Sequence, residues 1–194
     1  MQPKNTSRLA AHLPEYDYAD RYERRIQHPA NDRLLHAIRH LDFSASLSVR
    51  TLFILRGMPL RFCKMDAMLN GEEFTLIEEH PGQELVAAGI VSPRLRSVRM
   101  DDARDFREYA EPHGMKIAWN FYIEPDGPDA ARVSTETRVQ CLGPVMKRRF
   151  GIYWFFIRPF SGWIRLEMLR LLARSVEEPH PPREGLTSTN DNAA

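Results

Sequence analysis

Cysteine is scarce in this chain. Cys63 and Cys141 are the only two, they lie far apart, and neither belongs to a CxxC pair. A disulfide-stapled scaffold is therefore excluded as an expectation, and two buried thiols in a cytoplasmic protein are expected instead. Excess charge of one sign is also missing: 27 Lys and Arg oppose 26 Asp and Glu, leaving a formal charge of +1. That balance argues against a polybasic arm, so nucleic acid is not an expected partner. There is no GxSxG, P-loop, GxGxxG or HExxH pattern, which disfavours a nucleotide-dependent enzyme and leaves no cofactor or metal to expect. The N-terminus, MQPKNTSRLAAHLPEY, has no continuous apolar run of the kind a secretory signal carries. The most apolar stretch, residues 150–172, is interrupted by Arg158, Arg165, Glu167 and Arg170. Charges at bilayer depth are costly, so this stretch reads as an amphipathic helix rather than a span.

What is present suits one globular domain. The 194 residues are 43% hydrophobic and 27% charged, enough to bury a core. Residues 1–15 read as a flexible leader and 179–194 as a disordered tail, because the tail is rich in Pro and small polar residues and has no apolar face. The domain is expected to span 16–178. Within it, residues 16–26 suggest a strand. Asn31 or Asp32 caps a short helix running to Leu41, and a second short helix covers 45–55, ending at Gly57. Residues 73–79 and 84–91 read as two strands joined by His80-Pro81-Gly82-Gln83. Residues 93–100 are a further candidate strand, and 101–111 are ambiguous.

The strongest local signal is a hairpin formed by 115–124 and 132–142. Pairing Ile123 with Val133, Phe121 with Thr135, Trp119 with Thr137 and Ile117 with Val139 makes one face apolar. The other face then pairs Glu124 with Arg132 and Asn120 with Glu136. A slip of one residue would set Trp119 against Glu136, so the hydrophobic pattern selects the first register. After Gly143-Pro144, Met146, Phe150, Tyr153 and Ile157 recur at helical spacing, and Phe160, Ile164, Met168 and Leu171 continue the stripe. Pro159 and Gly162 predict a kink or break between the two halves. The layout is α+β: a strand, two short helices, antiparallel strands, and one long C-terminal helix able to cover a sheet face.

The segments ANDRLLHAIRHLDF, KIAWNFYIEP, RVSTETRV and RRFGIYWFFIRPFSGWIRLEMLRLLARSVEE follow one another in that order. In this order they resemble the SRPBCC superfamily, also called START-like or helix-grip, and a bacterial branch of it. The resemblance covers about residues 16–178. It implies a curved antiparallel sheet wrapped around the C-terminal helix, two short helices after the first strand, and a mostly apolar cavity between sheet and helix. Members bind lipids, sterols, polyketides or other hydrophobic molecules, and some are cyclases or aromatases. The chain departs from a typical member over residues 92–100, where charged residues crowd the expected strand.

Several residue sets are candidates for chemistry. Trp119, Phe121, Thr135 and Thr137 of the hairpin would face Phe150, Tyr153, Trp154 and Ile157 of the helix, giving an apolar chamber with a few hydroxyls. The plainer alternative is that these side chains fill a core. Asn120, Glu136 and Arg138 are expected to form a solvated or salt-bridged outer face. His36 and His40, with Asp32 four residues earlier, lack the companions of a metal site. Glu78 and Glu79 point to opposite faces of a strand and cannot pair for acid–base work. The basic residues from Arg94 to Arg107 are offset by Asp101, Asp102 and Asp105. The leading expectation is a protein that binds a hydrophobic or amphipathic, lipid-like or polyketide-like molecule. One alternative is a cyclase- or aromatase-like enzyme, which would need an acid or base inside the cavity. The other is a module making transient membrane-surface or partner contact through Phe155, Phe156 and Trp163.

Overall fold

The expected hairpin forms in the expected register. Strands β5 (Met115–Pro125) and β6 (Ala131–Cys141) pair antiparallel, with Ile123 opposite Val133, Phe121 opposite Thr135, Trp119 opposite Thr137 and Ile117 opposite Val139. The computed structural model describes residues 7–55, 59–71 and 73–177. The C-terminal tail and the Gly57 helix stop lie outside them.

Around this hairpin the sheet grows on both sides. Strand β1 (Tyr18–Ile26) pairs with β6, β3 (Glu84–Val91) with β5, and β2 (Thr75–His80) with β3. The order is β1-β6-β5-β3-β2, all antiparallel. Of the candidate strand at 93–100 only Ser97–Val98 pairs, as the short β4 beside the far end of β3. The ambiguous stretch after it holds a helical turn, α5 (Ala103–Glu108). It is capped by Asp102, whose carboxylate accepts from the amides of Arg104 and Asp105.

Between β1 and β2 lie α2 (Asp32–Arg39), α3 (Leu47–Leu55) and α4 (Met65–Leu69). Asn31 caps α2 by accepting from the Leu34 amide at 3.2 Å, and Leu34, Leu35 and Ile38 form its buried face. The last element, α6 (Pro144–Glu177), runs 34 residues and is continuous through Pro159 and Gly162, so the expected break is absent. Proline removes one amide donor. The neighbouring Phe155, Phe156 and Phe160 are exposed, where water can satisfy the carbonyl left over. Helix α6 and the helices before it cover one sheet face, and the principal core lies between them. This α+β architecture, a long C-terminal helix held across an antiparallel sheet, is a helix-grip fold.

The opposite face carries an ion pair, Glu136 with Arg138 at 2.6 Å, in keeping with a salt-bridged face, but it is not open to water. A short helix, α1 (Leu9–His12), lies over it with Leu9 and Leu13 buried against Val86, Ala88, Ile90, Phe106 and Ala118. Residues 7–13 of the expected flexible leader are thus packed onto the sheet. Strand β3, ELVAAGIV, is apolar on both faces, and both faces are therefore covered. Asn120, expected on a solvated or salt-bridged face, is 2% exposed. Its side-chain amide donates to Glu84 at 2.6 Å, and its carbonyl oxygen accepts from the Glu136 amide at 2.9 Å. Glu84 also accepts from the Ser7 hydroxyl and the Arg8 amide, which fastens the N-terminal segment. Glu136 accepts from Arg138 at 2.6 Å, and Arg138 reaches the Leu13 carbonyl. Nearby, His12 meets Glu78 at 2.5 Å. Burial alone would raise the Glu78 pKa, but the contacts with His12, Arg8 and His80 outweigh it and hold the carboxyl below its ordinary range.

Both cysteines are free and buried. Burial, with Asp17 adding to it, pushes the Cys141 thiol up to about 11, which leaves it a weak nucleophile at neutral pH. His36, in the last turn of α2, and His40, just past its end, stack at 4.0 Å, and the His40 Nδ1 lies 3.0 Å from the His36 carbonyl. No helix among the described residues is long and apolar enough to cross a membrane.

Candidate functional site

Two periodicities meet where α6 crosses the sheet. Every second residue of β5 and β6 faces the helix, and α6 returns a side chain to the sheet every third or fourth residue. They do not close on each other completely. A cavity of about 550 Å³ remains between them. Its floor comes from β5 and β6, with Met115, Ile117, Trp119, Phe121, Thr137 and Val139. Its roof is α6 from Met146 to Met168. At a rise of about 1.5 Å per residue, that run of helix extends for roughly 30 Å.

The spacing between helix and sheet is set at the β1 edge. Tyr18 and Tyr22 project from β1 toward α6. Tyr18 packs against Phe150 and Trp154 with ring centroids 5.3 and 6.0 Å away, and its hydroxyl donates to the Lys147 carbonyl at 2.9 Å. Gly151 and Gly162 are the helix positions that receive these two tyrosines. At the start of the helix, Lys147 pairs with Asp17 at 2.6 Å. Burial would raise the Asp17 pKa, but Lys147 and the Cys141 amide together bring it below the ordinary carboxylate range.

Of the eight residues expected to form the chamber, seven line this cavity: Trp119, Phe121, Thr137, Phe150, Tyr153, Trp154 and Ile157. Tyr153 sits at the rim, 45% exposed. Thr135 does not line it. It is fully buried and accepts a hydrogen bond from Arg165, which also donates to Thr137. Phe160, read as part of the inner stripe, is exposed. After Pro159 the inner positions are Ser161, Ile164, Arg165 and Met168.

Sequence reasoning missed Arg165, Ser161 and Arg149 as lining residues, and it missed the wall formed by Phe53, Met68 and Phe74. A signal for Arg165 was available: Ile157, Ser161 and Arg165 are spaced four apart and share one helix face. For Phe53 and Met68 no local pattern pointed to the cavity. They arrive through the packing of α3 and α4 beneath α6.

The described lining is mainly apolar, with Thr137, Ser161 and Tyr153 as hydroxyls and Arg149 and Arg165 as the charged groups. It contains no carboxylate and no imidazole among the described residues. Such a space can enclose an apolar body and orient a polar end, but it offers no obvious general base.

Seen as a class, this is a helix-grip chain with an apolar internal cavity. No family model matches the chain, and no curated protein matches it in sequence. Among solved structures it is similar to the di-domain ARO/CYC BexL from the BE-7585A biosynthetic pathway, at 14% identity and a TM-score of 0.36 over 83% of this chain. The match spans 47% of BexL, so the chain corresponds to about half of that protein's length. It is also similar to TTHA0849 from Thermus thermophilus, at 13% identity and a TM-score of 0.29, covering 82% of this chain and 97% of that one. A third is human STARD10, at 11% identity and a TM-score of 0.28, covering 81% of this chain and 64% of that one.

Proposed function

We propose that this chain is a member of the SRPBCC (START-like) superfamily and binds a hydrophobic or amphipathic small molecule between α6 and the sheet. The observation that carries the reading is the cavity itself. About 550 Å³ of space walled mainly by apolar side chains is the size of a small-molecule site, which typically runs from about 300 to 1,000 Å³. A core meant only for stability is packed to crystal-like density and holds few voids larger than a water molecule. The alternative of a cyclase- or aromatase-like enzyme needs an acid or base in the chamber. With Tyr153 the only titratable hydroxyl there and no carboxylate or imidazole among the described lining residues, binding is preferred.

The uncharged fluorophore N-phenyl-1-naphthylamine tests this. Saturable, one-to-one binding is expected, and Ile117→Trp, which fills the floor, is expected to weaken it about tenfold or more. Absence of binding, or binding indifferent to the filled floor, rejects the cavity as a site.

A second reading is favoured by the outer side of α6. Phe155 is 76% exposed, Phe156 66% and Trp163 53%, and Ile152 and Leu166 extend the same strip. Between Pro144 and Leu166 the helix carries no acidic residue, and Lys147, Arg148, Arg149 and Arg158 are exposed cations on it. Exposed aromatics beside cations suit an anionic bilayer surface. The chain is expected to float with phosphatidylcholine vesicles containing phosphatidylserine and to stay behind when Phe155→Ser and Phe156→Ser are combined. Failure of the unmodified chain to float removes this reading and leaves the cavity untouched.

A further inference from the structure

The near-neutral total charge conceals a division along the chain. Residues 43–65, 92–100 and 144–166 contain no Asp or Glu. They hold eleven Lys and Arg besides Arg165, which turns onto Thr135 and Thr137 of β6. All 26 Asp and Glu lie in the remainder of the chain, where they outnumber the cations. Each of the three segments also supplies wall to the cavity, through Phe53, Leu95 and the inner face of α6.

Some of these cations are answered from neighbouring segments: Lys64 by Asp42, Arg99 by Asp101, Lys147 by Asp17 and Arg158 by Asp20. Arg50, Arg61, Arg94, Arg96, Arg148 and Arg149 are exposed and pair with no acid among the described residues.

The same segments hold the exposed apolar surface. Among the described residues, every large apolar side chain that is exposed belongs to one of them, Tyr16 excepted. In α3, Ile54 and Leu55 are exposed directly after Phe53 of the cavity wall. Leu95 is 65% exposed, in a turn closed where the Ser92 amide donates to the Arg96 carbonyl at 2.8 Å. It holds φ at +60°, a conformation leucine rarely adopts.

Of the described residues that line the cavity, Leu95, Arg149 and Tyr153 are the exposed ones, which places the mouth between this turn and the first half of α6. Arg149, Tyr153, Phe156 and Phe160 stand three or four residues apart, so the exposed strip of α6 runs along the flank that borders the mouth. Cations and apolar side chains thus share the surface around the opening.

Resting on both readings above, a ligand in the cavity and an anionic bilayer beside α6, we propose that the chain docks on an anionic bilayer with the cavity mouth against the lipid. The contact is made by α3, the 92–96 turn and α6 together, and an apolar molecule passes between bilayer and cavity without crossing water. Charge selects this occupant. A second copy in a two-fold contact would bring the same cationic segments face to face. A soluble polyanion answers the arginines but offers nothing to Leu95, Ile54 and Leu55. An anionic bilayer answers both, and it needs no matching shape for side chains that project singly.

Transfer of N-phenyl-1-naphthylamine from the loaded chain to vesicles containing a quencher tests this. With phosphatidylcholine vesicles containing phosphatidylserine, the rate is expected to rise in proportion to vesicle concentration, and to exceed that with phosphatidylcholine alone by about tenfold or more. Arg94→Glu combined with Arg96→Glu, outside the cavity wall, is expected to weaken vesicle binding about tenfold or more while dye affinity in solution stays as before. Should that pair disturb the fold, Arg50→Glu combined with Arg61→Glu decides by the same measurement. Vesicle binding indifferent to the charge reversals, or a transfer rate indifferent to vesicle concentration, would overturn docking through the mouth and leave the aromatic strip of α6 as the bilayer contact. Failure of the unmodified chain to float would overturn this proposal together with the bilayer reading, while dye binding in solution would still uphold the cavity. Displacement from vesicles by poly-glutamate or RNA, or a stable dimer that does not float, would overturn the proposal by assigning the face to a soluble polyanion or to a second copy.

Discussion

Trp119→Ala is expected to lower stability by about 3–5 kcal/mol, measured as a shift in urea unfolding at unchanged slope. Trp119 is 2% exposed, paired across β5 and β3 with Ala87 and across β5 and β6 with Thr137. Its ring meets Phe74 and Phe121 edge-on, with centroids 5.9 and 6.3 Å away. The indole Nε1 is buried and has no hydrogen-bond partner among the described residues, so the loss counted here is one of packing rather than of a hydrogen bond. Two consequences separate it from a general disturbance. Trp119→Phe, which keeps an aromatic ring and removes the orphan N–H, is expected to cost much less, under about 1.5 kcal/mol. The space vacated by Trp119→Ala also joins a cavity that is already open, so N-phenyl-1-naphthylamine should restore part of the lost stability by binding the folded state. A loss below about 1 kcal/mol for the alanine variant would mean that the ring is not packed as described.

How far such features can be read before a structure exists depends on where the controlling contact lies in the chain. The β5–β6 register was legible because alternation over 11 residues on each strand penalises any slip at every position. The α2 cap was legible because Asn31 acts on an amide three residues away. The second covered face was harder. Its evidence in β3 is a run without alternation, and its cover is α1, whose Leu9 and Leu13 stand four apart in a segment that otherwise reads as polar. A four-residue helix has no periodicity of its own to announce it. It is held by long-range contacts, Ser7 and Arg8 to Glu84 across 77 and 76 residues. Composition marked that segment as loose because it sees hydrophobicity and not partners. For the candidate site, the side chains facing the helix were legible, but not whether they touch it. That depends on how far α6 stands from the sheet, a distance governed by residues on β1. Arg165 interrupts an apolar stretch as a charge, and its four-residue spacing from Ser161 and Ile157 gives its helix face but not its partners. Its role depends on Thr135 and Thr137, about thirty residues earlier and on another element.

The standoff of α6 can be tested directly at Gly162. Alanine for glycine inside a helix normally stabilises by about 0.5–1 kcal/mol, because glycine surrenders more backbone freedom on folding. Here the opposite sign is expected. Gly162 is buried under the Tyr22 ring, and a Cβ at this position would overlap the Tyr22 hydroxyl and lie 2.8 Å from its Cζ. Tyr22 is held in turn by its strand, which pairs with β6 along its whole length, so it cannot retreat without moving β1 or the helix. Gly162→Ala should therefore destabilise by about 1–3 kcal/mol, the usual cost of overpacking. Gly151→Ala meets the Tyr18 hydroxyl at 2.6 Å and nothing else closer than 3.6 Å, so a small shift of one phenol relieves it and the loss should be smaller. The decisive comparison is a double-mutant cycle with Tyr22→Ala. Once the ring is gone, Gly162→Ala should recover its ordinary stabilising sign, giving a coupling well beyond the additive error of about 0.3–0.5 kcal/mol. If Gly162→Ala stabilises the unmodified chain, Tyr22 does not set the distance between helix and sheet, and the cavity between them has lost its structural cause.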